Sequence, residues 1–115
     1  MTSEVRQVQA VAELGVTLRG AADISALIGA AYALGGVLLR ETDLSPEFLN
    51  LRTGLLGELF QKCVNHRLAL AFVLPDFTAH GERFAELAYE HARHPAIRFV
   101  HTDAEAWAWL GEQVG

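Results

Sequence analysis

The sequence predicts an α/β fold: one domain, in two or three layers, around a mostly parallel sheet of four to five strands with about four helices. Three observations predict it. Short, densely apolar runs occur at Val37–Leu39 and Leu68–Leu74, as expected of buried strands, and a further short strand is read at Ile97–Val100. Between them lie stretches whose apolar residues repeat with helical spacing, and parallel strands need crossovers of that length. At 115 residues the chain has the size of one domain and no room for two cores.

The elements follow in order. Val5 to Leu18 reads as two short strands, a hairpin being one arrangement, because Val16-Thr17-Leu18 is β-branched and alternating and Gly15 suits a turn. A helix over Glu4–Leu14 is the competing reading, since Val8, Val11 and Ala12 also share a helical stripe. From Ala21 to Leu34, Ile24, Leu27, Ile28 and Ala31 fall on one helical face, with Gly35-Gly36 suited to a left-handed C-cap. After the strand Val37–Leu39, Ser45, Pro46 and Glu47 carry the cap, first-position and dipole preferences of a short helical turn.

A strong helix is expected from Leu51 to about His66, marked by Leu55, Leu56, Leu59, Phe60, Cys63 and Val64, with Asn50 or Thr53 as its cap. The buried strand Leu68–Leu74 ends at Pro75-Asp76. A third helix covers Gly81–His94, with Phe84, Leu87, Ala88 and His91 inward, and Pro95 stops it. After Ile97–Val100, Asp103 is placed to cap a last helix in which Ala106, Trp107 and Leu110 cover the sheet, leaving Trp109 exposed or at an interface. The order is β(β)αβαβαβα.

Composition narrows the function. The apolar fraction of 51% and charged fraction of 20% are those of a globular chain. A net charge of −5, with nine Lys and Arg spread thinly, opposes nucleic-acid binding. The single cysteine, Cys63, permits neither an internal disulfide nor a multi-thiolate zinc site. The opening MTSEVRQVQA lacks a signal-peptide pattern, and the apolar runs fall short of the roughly 20 residues of a membrane span, so the expected setting is the cytoplasm.

The segment LSPEFLNLRTGLLGELFQKCVNHRLALAFV, Leu44 to Val73, resembles a bacterial family known as domain of unknown function 4180. That family's core reads approximately L-x-P-x-F-F-D-L-x-T-G-x-x-G-E-x-x-Q-K-x-x-N-Y-R. Leu44, Pro46, Phe48, Leu51, Thr53 and Gly54 match it, then Gly57, Glu58, Gln61, Lys62, Asn65 and Arg67. The spacing continues through Tyr89-Glu90 and Phe99-Val100. Leu49, Asn50 and His66 depart from it, as do Leu74-Pro75 and the Glu90–His94 stretch. The resemblance implies no activity. The order of elements is also similar to that of STAS domains, in which a Ser/Thr-Gly pair opens the corresponding helix and serves phosphorylation and partner docking. Thr53-Gly54 falls at that place, although Leu51 and Arg52 replace the Asp-Ser that precedes the pair.

Glu58, Gln61, Lys62 and Asn65 recur at i, i+3, i+4 and i+7, a polar stripe opposite the leucines. As a solvated face the stripe would carry a Glu58–Lys62 pair; as a functional one it would dock a partner or ligand. Gly54 and Gly57 sit where each costs up to about 1 kcal/mol against Ala, so close packing on the sheet or an anion at Thr53 should compensate. Cys63 shares the apolar stripe and is expected to be inert. His91, His94 and His101 are placed for packing more readily than for a metal, and no acid/base pair or nucleophile triad can be assigned.

The expectation is therefore a non-catalytic regulatory or protein-interaction domain, without cofactor or metal, binding an unknown protein partner and open to homodimerisation. Its surface would comprise Ser45, Glu47, Asn50, Thr53 and Gly54, with Glu58, Gln61, Lys62 and Asn65. The alternative is a small-ligand or anion site at the C-terminal ends of the strands, near Arg40, Thr53, Asp76 and Thr102.

Overall fold

A computed structural model describes residues 7–114. Four strands, β1 (Val8–Ala10), β2 (Gly36–Arg40), β3 (Ala69–Val73) and β4 (Ile97–Val100), form one sheet in the order β1-β2-β3-β4, every pair parallel. Helices α1 (Ala21–Ala30), α3 (Leu55–Asn65) and α4 (Glu82–Glu90) fill the three crossovers; the short α2 (Pro46–Leu49) precedes α3, and α5 (Asp103–Val114) follows β4. The α/β class is as expected, with α2 raising the helix number to five.

The strand order explains the layers. A sheet that advances one strand at a time in one direction through right-handed crossovers places all its crossover helices on one face. That face buries Val37, Leu39, Leu70, Phe72, Ile97 and Phe99 against Leu27, Leu59 and Phe84 of the helices. Alternate residues point the other way: Ala10, Leu38, Ala71, Val73 and Val100 pack against Ala106, Trp109 and Leu110 of α5, which lies alone on that side. The three layers are thus unequal. Phe72, fully buried, anchors the thicker one, its ring 4.9 Å from Phe99 and edge-on to Phe84 at 6.2 Å.

Several local expectations are corrected. The N-terminal segment is not a hairpin: β1 runs parallel to β2, a 3₁₀ turn follows at Val11–Leu14, and Val16–Leu18 contributes a single bridge, Leu18 to Leu44. Residues of that reading before Gln7 lie outside the described residues. Gly35-Gly36 does not cap α1, which ends at Ala30 with Ala31 at φ −97°. Gly36 instead starts β2 under α5, where a Cβ would lie 2.7 Å from Leu110 Cδ2 and 3.1 Å from the Ala69 carbonyl oxygen.

The expected helix Leu51–His66 is two pieces, a 3₁₀ turn at Leu51–Thr53 and α3, divided by Gly54 at φ 73°. The helix expected over Gly81–His94 is α4, which stops at Glu90 and leaves His91–His94 as a turn. Asp103 does not cap α5. Thr102 does, its hydroxyl accepting the Glu105 N–H at 3.1 Å, because Asp103 is drawn to Arg40. The tryptophans exchange roles: Ala106, Trp109 and Leu110 share the buried stripe, Trp109 with Arg98 stacked over its ring at 5.2 Å, and Trp107 is half-buried.

Candidate functional site

The connection from β2 to α3 is a long loop that hydrogen-bonds to itself. Asp43 Oδ2 accepts the Arg40 N–H at 2.8 Å and closes the first turn. Leu18 N–H donates to the Asp43 carbonyl at 3.1 Å and Ser45 N–H to the Leu18 carbonyl at 2.9 Å, tying the loop to the N-terminal segment. The Ser45 hydroxyl donates to the Arg19 carbonyl at 3.1 Å and accepts no N–H from the helix that begins at Pro46. Phe48 of α2 is fully buried and pins the loop to the core.

Asn50 Oδ1 then accepts the Arg52 N–H at 3.1 Å. The Thr53 hydroxyl donates to the Glu47 and Asn50 carbonyls, at 2.8 and 2.9 Å, and accepts the Leu55 N–H at 3.3 Å. Gly54 takes the left-handed conformation and α3 starts. Ser45, Asn50, Thr53 and Gly54 therefore build the loop, while the exposed Glu47 lends it a carbonyl.

Glu58, Gln61, Lys62 and Asn65 are all exposed on the outward side of α3, while Leu56, Leu59, Phe60 and Cys63 are buried beneath. The i, i+4 contact on the stripe is not Glu58 to Lys62 but Gln61 to Asn65, whose amide nitrogen and oxygen are 2.9 Å apart. By strand order α3 is the central helix of its layer, so the stripe lies along the crest of the domain. Gly57 is exposed there too, and a Cβ on it would touch nothing within 4 Å among the described residues. Close packing on the sheet, the compensation expected from the sequence, is absent at that position.

A groove of about 470 Å³ runs beside this surface, lined by Leu49, Asn50, Leu51 and Arg52 of the loop and by His80, Arg83 and Phe84 at the start of α4. His80, Arg83 and the groove-facing role of Arg52 have no local signature; the groove exists because two connections distant in sequence meet.

At the C-terminal ends of the strands, the alternative residues are held by neighbours. Arg40 Nε and Nη2 donate to Asp103 at 3.2 and 2.9 Å; the pairing raises the guanidinium pKa and holds the Asp103 carboxyl below its ordinary range. Asp76 accepts both the Thr78 hydroxyl at 2.6 Å and its N–H at 2.9 Å, which lowers its pKa. The connections leaving β3 and β4 part toward opposite faces, the arrangement that opens a crevice in α/β sheets. Here Phe77 stacks on His101 at 4.0 Å and His101 Nδ1 meets the Pro75 carbonyl at 3.1 Å, so side chains occupy that place. Thr53 belongs to the loop described above.

The remaining candidates have structural tasks. Cys63 is buried, and desolvation pushes its thiol up to about 12, far from a thiolate at neutral pH. His91 Nδ1 lies 2.9 Å from the Leu87 carbonyl, and His94 Nδ1 accepts the N–H groups of Ala96 and Ile97, each at 3.0 Å. His80 Nε2 lies 2.7 Å from Glu41 Oε2.

These features define a small parallel α/β domain whose most elaborated surface is the β2–α3 connection and the crest that follows it. The chain belongs to the family described as Domain of unknown function (DUF4180), whose family profile matches residues 3–110. No curated protein matches it, and no solved structure does.

Proposed function

We propose that this chain is a non-catalytic module that docks a partner protein on the crest of α3 and the loop leading into it, with Glu58, Gln61, Lys62 and Asn65 as the contact stripe. Gly57 carries the reading. A glycine within a helix costs up to about 1 kcal/mol against alanine, and no packing among the described residues offsets it, since the space above Gly57 is open. A bare backbone on an outward helix face permits close approach by another chain. Gly29 and Gly111 are equally open, but Gly57 is the one that adjoins the polar stripe, one residue before Glu58 and one helical turn before Gln61. The loop adds support: its internal hydrogen bonds hold this surface in one shape, which lowers the entropy lost on binding.

No helix among the described residues is long and apolar enough to cross a membrane, and a cytoplasmic setting is part of the proposal. The strand-end alternative has less support, because Arg40 and Asp76 are already bonded within the chain.

A photo-crosslinking residue placed at Gln61 in cells tests the proposal, with Ser25 on the exposed side of α1 as control. The expected result is a discrete adduct with another protein from position 61, lost when Glu58→Ala and Lys62→Ala are combined. Identical adducts from both positions, or none from position 61, contradict it. An adduct of twice the chain's mass replaces the partner with a second copy.

A further inference from the structure

Resting on the docking reading above, we infer that the groove beside the loop receives an acidic peptide segment carrying a large apolar side chain. The groove has two kinds of wall. Leu49, Leu51 and the buried Phe84 supply an apolar floor, and Arg52 and Arg83 stand at its rim. Its volume of about 470 Å³ lies within the range that accommodates a ligand group.

Charge selects the occupant. The chain carries −5 overall with only nine Lys and Arg, yet two of them converge here from separate connections. Arg40 is bonded to Asp103, and Arg98 to the His94 carbonyl and the face of Trp109. Arg52 and Arg83 are exposed, and neither side chain has an acceptor among the described residues. Guanidinium groups so placed suit paired N–H donation to carboxylates. His80 contributes its ring to the wall, held with Nε2 2.7 Å from Glu41 Oε2. The adjoining depression shares Leu51 and Arg83 with the groove but adds Glu82, Glu86 and Glu90, which disfavours an acidic segment there and favours the Arg52 side of α4.

A random peptide library displayed on phage and selected on the 115-residue chain tests this. Enriched peptides are expected to be net negative with a Leu, Phe or Trp. A synthetic copy of the strongest should bind at least tenfold more weakly to the Arg52→Glu, Arg83→Glu double variant, and more weakly as salt is raised. Arg52→Gln with Arg83→Gln, which retains the aliphatic stems, should weaken it in the same direction at unchanged melting temperature. Enrichment of neutral or basic peptides, or undiminished binding to both double variants, overturns the inference. If such peptides are instead lost with Glu58→Ala and Lys62→Ala, the docking reading stands without the groove. A library that yields no binder overturns the groove inference, while the Gln61 adduct decides the docking reading separately.

Discussion

Individual side chains here work mainly by closing backbone hydrogen bonds. His94 is the clearest case. Its Nδ1 accepts two backbone N–H groups, and the His91 carbonyl accepts the Phe99 N–H at 3.2 Å, so the turn after α4 caps the outer edge of β4. Only the neutral ring accepts at Nδ1. Burial, then the neighbouring His91 and Arg98, lower the His94 pKa from 6.5. With the folded pKa below the unfolded one, the stabilisation is complete above pH 6.5 and is lost as pH falls through the folded pKa. His94→Asn keeps an acceptor without titrating in this range, so urea unfolding should show the wild-type advantage shrinking between pH 8 and pH 5. A pH-independent difference would contradict this. Thr53 is the second case. Thr53→Val removes a donor and an acceptor at once and should cost about 1 kcal/mol in denaturant unfolding, whereas Thr53→Ser should stay near wild type. This threonine was legible in the sequence as a position of interest, but its role as a brace depends on carbonyls that only the folded loop brings within reach.

Helix α3 shows what a one-dimensional pattern does and does not contain. Its buried and exposed faces follow from periodicity, and Leu56, Leu59, Phe60 and Cys63 are inward as expected. The break at Gly54 is hidden, because glycine is compatible with both helical and left-handed backbone. The two glycines should therefore respond oppositely to alanine. Gly54→Ala imposes φ 73° on a residue with a Cβ and should destabilise by about 1 kcal/mol, whereas Gly57→Ala should stabilise by up to about 1 kcal/mol. Thermal melts of the two variants against wild type check both signs. Helix α5 makes the complementary point: a carboxylate before a helix resembles a cap, but Arg40, far away in sequence, engages Asp103 and leaves the cap to Thr102.

Across the whole molecule, the α/β class was legible because central parallel strands are buried on both faces and so run apolar: β3 is apolar throughout and β2 up to Arg40, while the edge strand β4 carries Arg98. Strand order was not, nor the unequal layers it produces, nor the groove where two connections meet. Face assignment came from the structure, which puts large side chains under three helices and small ones under α5. Gly36 sets how closely α5 approaches. Gly36→Ala should destabilise by about 1–3 kcal/mol, since Leu110 must move and the Ala69 carbonyl cannot; an unchanged urea midpoint would mean α5 is looser than described. The exposed Arg40–Asp103 pair should matter far less, as surface ion pairs do. The central claim, that the crest of α3 is a docking surface, is tested most directly by an NMR titration of the ¹⁵N-labelled chain with the protein crosslinked at position 61. Amide shifts are expected to concentrate at Gly57, Glu58, Gln61, Lys62 and Asn65; shifts gathered instead around Arg40, Asp76 and Thr102 would contradict a docking role for the crest.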